Sequence, residues 1–214
     1  NLQLLEKLLD VDIVLNDAPL TISVSGFDLV KRNIAILSLE KLSKDKVINE
    51  PQMLRRIEEA KKETNKIMEK EGRSACQIIG LKNAHPDLIK IIGRLKFRTS
   101  YGQNILLHSL EVAFLAVILA AESGANIEVA KIAGFLHDVG KAIDHEIDEA
   151  HDKLTKDIMT KYGFPEEMIH AAWAHHEAVP LQTAEAKIVK AADALSAGRP
   201  GARQESLDKY LERI

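Results

Sequence analysis

The chain has 214 residues, 46% of them apolar and 29% charged, enough for one good core or two small ones and with no compositional sign of disorder. Its net charge of −3 excludes a globally basic nucleic-acid binder, so any nucleic-acid contact must be local or assisted by metal. A lone cysteine, Cys76, excludes an internal disulfide and an intrachain thiolate cluster, which leaves histidine and carboxylate as metal donors.

In chain order, Leu2, Leu4, Leu5, Leu8 and Leu9 recur at helical spacing and predict the end of an amphipathic helix. Val11, Ile13 and Leu15, then Leu20, Ile22 and Val24, alternate with polar residues on either side of residues 16–19, which predicts a β-hairpin. Asp28 supplies an N-cap for a helix running to about Lys44. The first piece is therefore α, β, β, α. From Glu50 to about Glu71 a narrow apolar stripe of Met53, Leu54, Ile57, Ala60 and Ile67 in a charged background predicts a solvated connecting helix, ended or bent at Gly72. Helical patterns then follow at 105–123, 127–139, 149–162, 165–178 and 183–197, so the larger domain is predicted to be all helical. The longest uncharged apolar run, Val112 to Ala121, is about half of the roughly 20 residues a membrane span needs and is read as a core helix. No signal peptide is visible, and a start at Asn1 without Met reads as a fragment.

Seven of the eight histidines lie between residues 108 and 176. His108 opens one predicted helix, His137-Asp138 closes the next, His151 starts another, His175-His176 ends a fourth, and Asp193 lies on a fifth. A lone histidine on an apolar helix is more often a satisfied core residue than a ligand. Burying this many polar rings without a shared purpose is costly, however, since each unsatisfied group costs about 1–3 kcal/mol. Side chains converging from facing helices build metal sites in helical bundles, and imidazole with carboxylate suits Mn, Fe, Zn or Mg. Lys141, one turn beyond Asp138, can neutralise charge on a phosphate or a leaving oxygen. Asp144, His145 and Glu146 are candidates for supporting hydrogen bonds to the ligands.

His108, His137-Asp138 and Asp193 resemble the H…HD…D signature of the HD-domain metal phosphohydrolases, and Phe135 to Lys141 matches its extended form. The resemblance implies a first metal held by His108, His137, Asp138 and Asp193. It also implies a second held by His151, His175 and His176, with Asp138 as the bridge and Asp138, His137 and Lys141 as the catalytic set. A bound divalent metal acidifies its water toward pKa about 7 and clamps phosphoryl oxygens, which is phosphate-ester hydrolysis.

The flanking segments Gly93 to Asn104 and Ala191 to Arg203 are similar to the bacterial ribonuclease Y family, and the likeness covers nearly the whole chain. It implies a mainly α protein with a truncated KH-like α+β piece at 1–46, connecting helices at 47–84 and an all-helical HD-domain bundle at 85–214. The implied activity is endonucleolytic cleavage of single-stranded RNA in mRNA turnover, with two divalent ions (Mn, Mg, Zn or Fe). The implied setting is cytoplasmic, as a homodimer, with other RNA-degradation proteins as partners and with the parent anchored to the inner face of the membrane by a segment outside this chain. Arg94, Lys96 and Arg98, alternating with Leu95 and Phe97, are candidate phosphate contacts, as are Arg199 and Arg203 on a rigid loop after Asp193. The chain departs from the family pattern at Glu177, where Gly-Asp usually follows the histidine pair, and at Gly198 and Gln204. A nucleotide or cyclic-nucleotide phosphohydrolase uses the same ligands, and a dimerising scaffold that recruits RNA-processing partners is the non-enzymatic alternative.

Overall fold

The structure, a computed structural model, describes residues 2–17, 20–100, 102–147, 149–199 and 202. It divides into two compact units, Asn1–Glu69 and Lys70–Ile214. In the first unit α1 (Leu2–Leu9) leads into strands β1 (Asp12–Asp17) and β2 (Leu20–Ser25), paired antiparallel with Ile13 opposite Val24 and Leu15 opposite Ile22. Helix α2 (Leu29–Leu42) begins where expected: the Asp28 carboxylate accepts from the Val30 and Lys31 amides at 2.8 and 3.2 Å. The α, β, β, α order matches the hairpin and cap signals.

Helix α3 runs over Glu50–Ile79 and differs from expectation in two respects. Met53, Ile57 and Ala60 are buried with Leu5, Leu9, Ile34 and Leu42, so the narrow stripe belongs to the core of the first unit rather than to a solvated connector. Nor does the helix stop at Gly72. A β-carbon there would lie 1.9 Å from the carbonyl oxygen of Ile89, so this glycine permits backbone contact with α4 (Pro86–Arg94) rather than breaking α3.

The second unit is helical apart from a small hairpin that periodicity does not signal. After α4, a 3-10 turn at Leu95–Phe97 leads to β3 (Thr99–Ser100), paired antiparallel with β4 (Gln103–Asn104). There follow α5 (Ile105–Ser123), α6 (Ile127–Leu136), a 3-10 turn (Val139–Ala142), α7 (His151–Lys161), α8 (Glu166–Trp173), a second turn (Ala174–His176) and α9 (Ala184–Gly198). Caps fix the starts of three of these: Asn104 accepts from the Leu107 amide, Asn126 from Glu128 and Val129, and Thr183 from Ala186. By length and composition α5 could cross a membrane, yet it packs against α6 and α9 and buries Val112, Ala113, Ala116 and Ala120 completely. The core holds Leu88, Ile92, Ile132, Phe135, Leu136, Met159, Ile169 and Val189. The mainly α class is the observed one.

Candidate metal centre

Helix ends and the turns beside them deliver most of the site, and the interior of α9 delivers the rest. Asn104 starts α5 so that His108 lies one turn inside it. His137 caps α6, Asp138 precedes the 3-10 turn, His151 begins α7, His175 and His176 end the turn after α8, and Asp193 faces inward from α9. The seven residues assemble into two donor groups. One is His108, His137 and Asp193; the other is Asp138, His151, His175 and His176, and within each group one donor atom per residue lies within 4.8 Å of the others.

Asp138 turns one oxygen to each group. Its Oδ2 lies 3.8 Å from His108 Nε2 and 3.4 Å from His137 Nε2, while its Oδ1 lies 3.5 Å from His151 Nε2 and 3.7 Å from His175 Nε2. Donors about 2.1 Å from a common ion lie about 3.0–3.4 Å from one another at tetrahedral or octahedral angles, so these spacings are close to those of ligands around an ion. The polar atoms fit that reading. His137 Nε2, Asp138 Oδ1, His151 Nε2 and His175 Nε2 are buried with no hydrogen-bond partner among the described residues, a costly arrangement unless something binds them.

The opposite ring nitrogens explain why Nε2 is the free one. His137 Nδ1 lies 2.7 Å from the Gly134 carbonyl oxygen and His175 Nδ1 lies 2.6 Å from that of Ala172. A carbonyl only accepts, so Nδ1 carries the proton and Nε2 presents its lone pair to the site. Thr155 braces the same corner: its Oγ1 donates to the His137 carbonyl and accepts from the Gly140 amide, both at 3.0 Å. Cys76 takes no part. It is buried in the core, and burial pushes its thiol up to about 11.

The electrostatics hold both carboxylates and two of the histidines, His151 and His175, in ligand form. Burial alone raises the Asp138 carboxyl, but His137, Lys141 and His175 outweigh it and keep the group well below the usual range. Burial also opposes ionisation of Asp193, yet the neighbouring His108 and His137 bring it to about 2. Burial, reinforced by Lys141, lowers His151. Burial, reinforced by His137, lowers His175 to about 3. His137 moves the other way, because Asp138 and Asp193 overcome the effect of its burial.

An acid-stability prediction follows from His175. Unfolded, its imidazole takes a proton near 6.5; folded, only at about 3, so the unfolded chain binds more protons between these values. Its contribution to stability is complete above pH about 6.5 and is lost as pH falls toward about 3. Melting of the chelator-treated protein is expected to shift to lower temperature across that window, as scanning calorimetry would record.

A cavity of about 310 Å³ opens onto the cluster, lined by His108, Asp138, His151, His176 and Asp193 together with Lys141, Ser100 and Gln103. Lys141 donates to Asp138 Oδ2 at 2.7 Å. The proposed phosphate contacts are placed differently: none of Arg94, Lys96, Arg98 and Arg199 lines this cavity. Arg98 pairs with Asp144 at 2.6 Å, Arg94 with Glu146, Lys96 with Glu71 at 3.7 Å, and Arg199 with Glu111 at 2.6 Å. Asp144 and Glu146 thus serve those arginines, and His145 lies beside both carboxylates. Arg203 lies outside the described residues.

Sequence reading missed Ser100, Gln103, Thr155, Glu111 and Ser196. Helical spacing carried a signal for three of them. Glu111 is three residues beyond His108, Ser196 three beyond Asp193 and Thr155 four beyond His151, so each shares a helix face with a ligand. Glu177, noted as a departure, has φ 60°, a left-handed conformation in which glycine avoids a cost of about 1 kcal/mol. Its pair with Lys190 is exposed and contributes little. Glu177→Gly is therefore expected to raise the melting temperature by about 2–4 °C.

Comparison with known proteins agrees with this arrangement of ligands. The HD-domain family profile matches residues 105–198, the span from the start of α5 to the end of α9. Residues 105–198 are similar to the HD domains. Over all 214 residues the chain is 47% identical to ribonuclease Y of Symbiobacterium thermophilum, 46% to that of Thermoanaerobacter pseudethanolicus and 45% to that of Enterococcus faecalis. It spans 41%, 42% and 41% of these curated relatives, less than half their length. No solved structure matches the chain. The resemblance read from the segments flanking the HD ligands is borne out, and the donor set suits divalent metal.

Proposed function

We propose that the HD domain is the catalytic part of a metal-dependent endoribonuclease that cuts single-stranded RNA internally, in mRNA turnover. One observation carries the reading. A buried carboxylate, Asp138, divides its two oxygens between two groups of imidazole donors, the arrangement of a bridge between two ions. His108, His137, Asp138 and Asp193 would hold one ion, and Asp138, His151, His175 and His176 would hold the other, with Mn, Mg, Zn and Fe as the candidates. A divalent pair supplies Lewis acidity for the phosphoryl oxygens and an acidified water. The choice of RNA rests on the likeness to ribonuclease Y.

The chain's own residues supply the rest. Asp138 and Asp193 remain ionised and His151 and His175 remain neutral at pH 7, so these four groups give up no proton on ligation, whereas Asp138 and Asp193 favour a proton on His137 that an ion must displace. Lys141 lies at the cavity wall, where an entering phosphate oxygen would meet it. The nucleophile is water, so the RNA 2′-hydroxyl is not consumed. Arg94, Lys96 and Arg98 lie outside the cavity, where they would contact phosphates of a longer strand. The same reading divides the chain into a truncated KH-like piece at 1–46, connecting helices at 47–84 and the HD region at 85–214. It places the protein in the bacterial cytoplasm as a homodimer with RNA-degradation partners, anchored to the membrane by a segment outside this chain.

End-labelled single-stranded RNA incubated with the protein and Mn or Mg is expected to yield internal cuts, also where the scissile nucleotide is 2′-deoxy. Absence of cutting with either ion, while metal is bound, would sink the proposal. The cavity volume of about 310 Å³ favours a second reading, a nucleotide or cyclic-nucleotide phosphohydrolase, because it is at the small end of ligand pockets. Faster turnover of mononucleotides than of oligomers would select it.

A further inference from the structure

His108 differs from its neighbours in what holds it. Its Nδ1 meets no backbone carbonyl but the hydroxyl of Ser196, at 2.9 Å across α5 and α9. A serine hydroxyl can donate or accept, so by itself it does not choose the tautomer. Glu111 makes the choice. Ser196 Oγ donates its proton to Glu111 Oε2 at 2.8 Å, and the same carboxylate receives Arg199 Nε at 2.6 Å and Nη2 at 2.9 Å. With that proton committed, Ser196 Oγ can only accept, from His108 Nδ1 and from Gln103 Nε2 at 3.3 Å. In the neutral ring this leaves His108 Nε2 as a lone pair, 3.0 Å from Asp193 Oδ1. A proton on Nε2 or a shared cation satisfies that contact, and the metal reading assigns it the cation.

We infer that Glu111, Ser196 and Arg199 form a positioning relay that fixes the tautomer of His108 and sets the affinity of the ion held by His108, His137 and Asp193. The inference rests on the metal reading above. Arg199 is then a fixed counter-charge for Glu111, which accounts for its bidentate contact and its distance from the cavity. Ser196 is fully buried, and Glu111 and Arg199, whose side chains are 31% and 48% exposed, link it to the surface.

The test is Mn(II) binding, followed by electron paramagnetic resonance, on the whole chain and on Ser196→Ala and Glu111→Gln. Ser196→Ala removes the acceptor for Nδ1–H. Glu111→Gln is nearly isosteric and sits at a partly exposed position that the fold tolerates, but its amide pairs its oxygen with Arg199 and turns N–H toward Ser196. The serine proton then points at His108 Nδ1 and places the imidazole proton on the nitrogen the ion needs. Each variant is expected to weaken one class of Mn(II) sites by about 10–100-fold and to leave the other class unchanged. The Co(II)-loaded variants are expected to show an altered visible spectrum. Wild-type affinity in both variants, with an unchanged Co(II) spectrum, overturns the relay while leaving the metal centre standing. If the parent protein itself binds no Mn(II), the metal reading falls and the relay with it.

Discussion

On the function proposed above, replacing Asp138 with alanine is expected to reduce metal-dependent RNA cleavage to less than about a thousandth of the parent rate, because two ions would lose their shared ligand and with it several kcal/mol of charge stabilisation in the transition state. The geometry makes this residue different from the other six. Each histidine serves one donor group, whereas the two Asp138 oxygens serve both. Elemental analysis of the variant should show fewer than two ions per chain. Asp138→Asn separates charge from shape: the amide fills the same space but leaves Lys141, in contact at 2.7 Å, without its buried counter-ion. Cleavage by either variant at the parent rate would remove Asp138 from the site.

Gly140→Ala is expected to have the second largest effect, and it acts without touching any donor. A β-carbon at this position would lie 2.0 Å from the His151 carbonyl oxygen and 2.8 Å from the Thr155 amide nitrogen. Both belong to backbone at the start of α7, which cannot rotate aside, so the helix must move away by an ångström or more. His151 rides on that first turn, 3.5 Å from Asp138 Oδ1, and Thr155 would lose the Gly140 amide. Overpacking of this kind costs about 1–3 kcal/mol. The expected result is a lower melting temperature together with loss of one bound ion and retention of the other. A variant that keeps both ions and parent activity would show that α7 adjusts without carrying His151 out of place.

What could be read from the sequence followed from local rules. Asp28, Asn104, Asn126 and Thr183 cap helices through their own side chains, and ligands at helix ends are visible because those ends are. Gly72 misled for a physical reason: in isolation glycine weakens a helix, but here its missing side chain lets α4 reach α3. The basic residues Arg94, Arg98 and Arg199 were legible as cations, whereas their pairing with Glu146, Asp144 and Glu111 depends on loops and helices meeting across 46 to 88 residues of chain. The Ser196 relay was hidden for the same reason. It needs the relative phase of α5 and α9, which no local pattern specifies.

The source of each imidazole's orientation bears on how the site can change. His137 and His175 lean on main-chain carbonyls of Gly134 and Ala172, groups that every amino acid at those positions retains. Single substitutions can displace such an anchor but cannot delete it. His108 instead leans on Ser196, a side chain that one codon change removes. Of these three rings, His108 is therefore the one through which related sequences can retune ion affinity by small steps, while the other two keep their protonation pattern as a property of the fold.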